Sequence, residues 1–398
     1  MRRHLTARLL PLALAAFAAP GLAHAAEGRG DFIVDARLRY EFVDQTGFGD
    51  PAEALTLRTR LGYETPAYEG FKALLEVENV TALSDQYNST TNGQTAYPTV
   101  LDPEATEINR AQISWSGPKA DVVVGRQRIV MGNARFVGNV GFRQNEQTFD
   151  AARVAFKVTP TTTLTWIYID RVQRILGDDS PQGEWDSDSH VIQLDTKTPL
   201  GQLSAYGYLL DFETAPLQSS ATWGARLTGS RPLAAGPSLT WEVEYARQGD
   251  YGSNPAHFDL DYLALAAGLK KDSRYISVGL ERLDGNGVRG FSTPLATLHA
   301  FHGWADVFLA TPARGVKDVN LRAGASIPFG TRKLKLAAAV HDFSDADGGI
   351  DYGSEIDASA SLPLTPKLSF EMKAARFNGD TPAFADRSKV WITLELKL

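Results

Sequence analysis

The sequence predicts an all-β protein: a transmembrane up-and-down antiparallel β-barrel of about 18 strands, with 16 and 20 as the outer bounds, short periplasmic turns and long extracellular loops. Three observations predict it. Segment after segment alternates an apolar face with a charged one, the period-two signature of a strand. The connections between these segments alternate too, short then long. Finally, beyond residue 25 the 398-residue chain holds no apolar run long enough for a membrane helix, and it has no cysteine to staple an exported soluble fold.

The first residues indicate export. Arg2, Arg3 and Arg8 precede the apolar segment Leu9 to Ala19, and Ala23-His24-Ala25 has the small-x-small pattern of a cleavage site. Residues 1–25 are therefore expected to be a signal peptide and 26–398 a single barrel domain. The formal charge is -7 and becomes more negative once the three leader arginines are lost, which excludes nucleic acid as a partner. With 43% hydrophobic residues, 35 glycines, 19 Phe, 13 Tyr and 7 Trp, the composition suits a half-polar β protein without an all-apolar core.

In chain order, Val34, Ala36, Leu38, Tyr40 and Phe42 form one face of the first strand, with Asp35, Arg37, Arg39 and Glu41 on the other. Leu55, Leu57, Leu61 and Tyr63 then oppose Arg58, Arg60 and Glu64, and Phe71, Ala73, Leu75 and Val77 oppose Lys72, Glu76 and Glu78. The stretch 121–156 shows the repeating unit whole: a strand, a polar Gly/Asn-rich loop, and a strand in which Ala152, Val154 and Phe156 oppose Arg153 and Lys157. Later strands repeat it, with Leu239, Trp241, Val243 and Tyr245 against Glu242 and Glu244, and Val390, Ile392, Leu394 and Leu396 against Trp391, Thr393, Glu395 and Lys397. Two stretches fit less well. Residues 165–174 alternate poorly, and 298–309 could hold a further strand pair inside the longest loop.

A lipid-facing sheet must satisfy its own backbone polar groups, and only a closed sheet does so. Eighteen strands enclose more space than their side chains fill, so the lumen is expected to be aqueous unless loops occupy it. The long connections 81–105, 129–149 and 283–315 are the candidates for folding inward. The basic residues assigned to the lumen phase include Arg58, Arg60, Arg110, Arg126, Arg128, Arg153 and Arg322, and the acids sharing it include Asp35, Glu41, Glu76, Glu78, Glu107, Glu242 and Glu244. Such residues can pair across strands and brace the wall. Unpaired arginines at a constriction would instead select anions, since fork-shaped guanidinium donors suit a carboxylate. Arg126, Arg128 and Arg153 form the leading trio, with Arg143 carried among them by the intervening loop.

The segments GRQRIVMGNARFVGNVGFRQNEQTFDAARVAF (125–156) and TPLATLHAFHGWADVFL (293–309) resemble the alginate-export family of proteobacterial outer-membrane proteins. That resemblance implies a monomeric 18-stranded barrel whose arginine-rich lumen passes a linear polyuronate, and it matches Arg126, Arg128, Arg143 and Arg153 to basic positions of the family pattern. The chain is shorter than the best characterised type and its lumen more acidic. The expected function is passive passage of anionic, uronate-type saccharides or other anionic solutes. The alternatives are a porin of broad permeability and a structural or adhesive barrel. The expected partners are outer-membrane lipid, the barrel-insertion machinery and the anionic solute, and the expected location is the bacterial outer membrane.

Other motifs carry less. Asp345, Asp347 and Asp351 lie in a Gly-containing loop that could offer oxygens to calcium, although it lacks the closing glutamate of an EF-hand. His299 and His302 are three apart without cysteines or a carboxylate pair beside them, so no metal or other cofactor is expected. An enzymatic barrel would need a Ser/His/Asp set. Ser277 and His341 sit in no nucleophile motif, so no catalytic residue is assigned.

Overall fold

The computed structural model describes residues 28–234 and 236–398, so the leader expected at 1–25 lies outside the described residues. Eighteen strands follow one another: β1 (Asp31–Gln45), β2 (Ala52–Glu64), β3 (Phe71–Ala82), β4 (Ala105–Ser116), β5 (Ala120–Gln127), β6 (Thr148–Thr159), β7 (Thr162–Gln173), β8 (Glu184–Thr198) and β9 (Gly201–Leu210), then β10 (Ser220–Pro232), β11 (Ser238–Gly249), β12 (Asp259–Lys271), β13 (Arg274–Leu283), β14 (Val316–Phe329), β15 (Arg332–Ser344), β16 (Asp351–Pro363), β17 (Leu368–Gly379) and β18 (Arg387–Lys397). Each pairs antiparallel with the next, and β18 pairs with β1, from Asp35 opposite Lys397 to Gln45 opposite Arg387. The sheet has no edge. This is what lipid demands of a β structure, because every strand's backbone groups then find partners within the wall.

The alternation read from the sequence sets which residues face lipid. Leu61, Leu75, Val124, Val278, Val319 and Ile356 all lie on the exposed outer face. Near the periplasmic ends the outer face carries the aromatic pairs Phe32–Tyr63, with ring centroids 5.0 Å apart, and Phe71–Trp115 at 6.5 Å. Amphipathic rings of this kind settle at the membrane–water boundary. Glu107 and Arg110 differ in parity yet both face inward, because the β3–β4 register jumps between Glu76 and Val77 and leaves Asn109 as a bulge.

Two readings of the sequence need correction. Residues 165–173 belong to strand β7, which is interrupted by a bulge where the register jumps between Ile169 and Arg171. The strand alternates poorly because both its faces are apolar: Trp166 is exposed to lipid, while Ile167 and Ile169 are fully buried inside the barrel. The segment 298–309 forms no strand pair, only a 3-10 turn at Leu298–Ala300.

The lumen also differs from the expected water-filled tube. Loop L3 (128–147) and loop L7 (284–315) fold into the barrel and bury an apolar cluster with the inner faces of β6–β9 and β12 and with the upper ends of β14–β18. Loop L2 (83–104) packs Tyr87 and Val100 onto Val43, Ala52 and Ala54 at the extracellular end of β1 and β2. All three long connections thus turn inward. The inner wall is charged along β1–β4, and where L3 and L7 lie against it apolar residues alternate with buried charges such as Glu281, Glu355, Lys373 and Lys389.

Lipid exposure makes a direct test. Ile356→Arg places a guanidinium on the outer face near mid-strand and should cost about 2–4 kcal/mol, whereas Ser359→Arg, on the lumen phase of the same strand, should cost little. Equilibrium unfolding by urea in lipid vesicles measures both.

Candidate functional site

Two aromatic anchors hold the inward loops. Phe136 of L3 sits among Tyr262, Tyr206, Tyr208 and Phe291, at centroid distances of 5.2, 5.5, 5.8 and 6.0 Å. Phe308 of L7 sits among Phe343, Phe384, Tyr352 and Phe377 at 4.7 to 5.9 Å. Between these anchors the loops join backbone to backbone, with Gly138 N donating to Leu295 O (2.8 Å) and Thr297 N to Ala134 O (3.0 Å). Arg135 crosses from L3 to the wall, donating to Glu281 at 2.5 Å and to Thr293 at 3.2 Å.

The loops meet the barrel seam at a buried ion network. Arg143 donates to Glu41 of β1 (3.1 Å) and to Asp306 of L7 (2.9 Å), and Lys389 of β18 reaches the same two carboxylates at 3.0 and 2.8 Å. Two cations and two carboxylates therefore close a ring that joins L3, L7, β1 and β18. Asp306 also accepts from His299 Nδ1 (2.8 Å), whose Nε2 in turn accepts from Lys373 Nζ (2.7 Å). Phe142 stacks on His299 with centroids 3.4 Å apart, and the Arg39 guanidinium lies 4.4 Å from the Phe142 ring.

The loop groups titrate as this network dictates. Burial would raise the Asp306 carboxyl, but Lys389, His299 and Arg143 outweigh it and hold the group well below its usual range. Burial drives His299 down to about 3 against the pull of Asp306, so its imidazole is neutral and donates from Nδ1. Glu146 of L3 is likewise held at about 2, because Arg60 and Arg128 overcome the cost of its burial.

Beneath L3, on the periplasmic side, a cavity of about 400 Å³ is lined by Arg37, Arg60, Arg110, Arg128 and Lys397 against Asp35, Glu76 and Glu146. Five cationic side chains and three side-chain carboxylates line it, beside the terminal residue Leu398. Its wall is braced as it is charged. Arg110 makes a bidentate pair with Glu76 at 2.9 and 2.7 Å, and Arg60 pairs with Glu78. Arg58 bonds Asp35 at 2.6 Å and Glu395 at 3.1 Å, while Arg128 bonds Glu146. Arg37 and Arg58 stand directly opposite each other across β1 and β2, and Glu395 of β18 bonds both. Arg37 also donates to the carbonyls of Gly141, Phe142 and Arg143 at 3.1 to 3.2 Å, tying the track to the tip of L3.

The structure separates the leading trio. Arg126 pairs in register with Ala111 and Asp150, sharing the outer phase of Val122 and Val124, and forms a bidentate bond with Asp150 at the extracellular end of the wall. It is not a lumen residue, since period-two parity sends it outward. Arg128 lies in the cavity, and Arg143 is buried 102 residues away in sequence from its partner Glu41. Arg153 and Arg322 face the lumen, and among the described residues neither has an ion-pair partner. Phe142, His299, Asp306 and Lys389 escape a reading of the sequence because their partners lie on distant elements. The one readable signal is that Lys389 shares the inward parity of Trp391.

The acidic loop does not suit calcium. Asp345 accepts from Gly349 N (2.7 Å), Ile350 N (3.2 Å) and Arg314 Nη2 (2.8 Å), so donors already occupy its oxygens. Asp347 projects into solvent with its side chain 84% exposed, 3.8 Å from Arg282. Among the described residues no cluster of three or more His, Cys, Asp or Glu could hold a metal ion.

Comparison with known proteins reports fold. The chain is similar to Acinetobacter baumannii OccAB4 (TM-score 0.71, 14% identity, 93% of this chain and 98% of that one) and to Pseudomonas aeruginosa OpdL (TM-score 0.68, 16% identity, 93% and 98%). It is also similar to Pseudomonas aeruginosa OccK2 (OpdF), solved in complex with glucuronate (TM-score 0.66, 14% identity, 92% and 98%). No family model and no curated protein matches. The protein is a bacterial outer-membrane β-barrel that shares the fold of these three proteins. This corrects the resemblance to the alginate-export family, whose two carrier segments are distinctive because they contain L3 and the inner part of L7.

The ion network yields two expectations. Arg143→Ala strands Glu41 and Asp306 in part and should cost about 3–5 kcal/mol, read by urea unfolding together with protease sensitivity of L7. Acidification should loosen the plug. His299 is depressed in the folded state, so the unfolded chain takes up its proton first and stability falls as pH drops from 6.5 toward 3. Glu146 adds a loss below its ordinary range, from 4.5 toward 2. Hydrogen exchange of the L3 and L7 amides between pH 7 and 4 should report faster opening at low pH, and His299→Phe should remove the part that begins near 6.5.

Proposed function

We propose that the barrel is an outer-membrane channel for small anionic solutes bearing carboxylates, with a uronate-sized sugar acid as the best fit. The observation that carries this reading is the cavity beneath L3, where Arg37, Arg60, Arg110, Arg128 and Lys397 outnumber the carboxylates. Each guanidinium has a protein carboxylate within reach, so a passing carboxylate can exchange for an internal partner. Binding is then strong enough to admit the solute and weak enough to release it, which conduction requires.

The volume supports a small solute. A cavity of about 400 Å³ suits one sugar ring. The joined L3 and L7 leave no room for the wide lumen that eighteen strands alone would enclose. The similar barrel of Pseudomonas aeruginosa OccK2 was solved with glucuronate, which supports a carboxylated monosaccharide as the probe to try.

Conductance in a planar bilayer under a potassium chloride gradient tests this. The refolded barrel should show a reversal potential on the anion side, and glucuronate added at millimolar concentration should block the chloride current. Arg110→Gln with Arg37→Gln should weaken the block at least tenfold and move the reversal potential toward zero. A current without ion preference, unaffected by glucuronate, would refute the reading and leave a channel of broad permeability.

A further inference from the structure

We propose that a second anion site, separate from the arginine track, is built on Arg322 between L7 and the β13–β15 wall, and that it takes a short-chain monocarboxylate. The anion-channel reading supplies its physiological use, but binding at the site can be tested without it.

The site is a cavity of about 110 Å³ whose lining includes Tyr275, Gly303, Trp304, Arg322, Ala339 and His341. Arg322 faces it from β14, in register with Ser277 on one side and Ala339 on the other. Among the described residues no carboxylate lies within ion-pair distance of Arg322, and its buried Nε has no hydrogen-bond partner. A guanidinium nitrogen shielded from water without an acceptor is costly. A ligand oxygen would remove that cost. Beneath L3, Arg37, Arg58, Arg60, Arg110 and Arg128 are all ion-paired, although Arg58 and Arg60 also keep buried nitrogens without partners.

The rest of the wall makes room and supplies approach. Opposite Arg322 the inner face is reduced to Ala337 and Ala339, and Tyr275 lies across Gly324, where any Cβ would meet its ring. Below Arg322, Lys335 and Lys333 occupy the same inward phase, and neither has an ion-pair partner among the described residues. At about 3.3 Å per residue, these cations lead from the periplasmic end of β15 to Arg322 over roughly 20 Å. The carboxylate two strands away, Asp357, accepts from Trp304 N at 3.2 Å and lies 3.7 Å from His341 Nε2, both through Oδ2, and it is not within ion-pair distance of Arg322.

Size and surface narrow the ligand. An apolar cavity of about 150 Å³ takes a six-carbon ring, so 110 Å³ corresponds to about four carbons. The carboxylate would sit on the Arg322 fork, and the alkyl tail on the alanine floor against Trp304. Butyrate fits this description, whereas a uronate is too large for it.

Saturation-transfer NMR of butyrate with the refolded barrel in detergent micelles reads binding whether or not the barrel conducts. Wild type should bind butyrate with a dissociation constant on the order of 1 mM. R322Q, which removes the charge and the guanidinium fork, should weaken binding at least tenfold. A339L, which keeps the guanidinium but fills the floor, should do the same, and it stands in if R322Q does not refold. Butyrate binding equally to wild type and to either refolded variant would overturn the site. If binding depends on Arg322 while the bilayer shows no anion preference, the channel reading fails and the site stands.

Discussion

An eighteen-stranded wall encloses more volume than its own inward side chains can occupy, and the rest of this structure depends on that mismatch. Closure is compulsory, because an open edge in lipid would strand backbone N–H and C=O groups. Having closed, the wall needs a filling, and the chain supplies it from its longest connections. L3 and L7 bring Phe136 and Phe308 into aromatic sockets, and they leave beside them an arginine-lined cavity beneath L3 and a smaller one beneath L7. The width of the passage is thus a property of two loops, while the wall acts as their frame.

Charge does two jobs in the same lumen. Along β1–β4 the arginines are laid beside carboxylates, which offsets the cost of packing Arg37 opposite Arg58. At the seam the ring of Arg143, Glu41, Lys389 and Asp306 is closed to solvent and serves to hold L3 and L7 in place. Buried ion pairs add little net stability against apolar replacements, but they penalise wrong partners heavily. Such a network suits a loop that must settle in one position among many inside a wide barrel.

The frame is legible in the sequence and the filling much less so. Val34 to Phe42, Leu55 to Tyr63 and Val390 to Leu396 declare their lipid face because a strand turns over at every residue, and lipid tolerates no exception. The parity that puts Arg126 outside is readable in the same way, since Val122 and Val124 share its phase. Ile167, Val191 and Tyr206 are harder: they are inward yet apolar, and only the arrival of L3 and L7 explains them. Spacing shows that Glu41 and Lys389 turn inward, but not that either of them meets Asp306. The members of that network come from L3, L7, β1, β17 and β18, and nothing local to any of them records the others.

The seam has a consequence for assembly. When the last strand docks on the first, apolar alternation alone would accept any shift of two residues, since the lipid face would stay greasy. Glu395 removes that freedom. In the native pairing it stands opposite Arg37 and bonds both Arg37 and Arg58. Two residues away in either direction the pair of guanidiniums would face each other with Thr393 or Lys397 as neighbour. Charge thus gives the closing pair a register preference that apolar alternation lacks, since only in this pairing does Glu395 stand opposite Arg37 and bond both arginines.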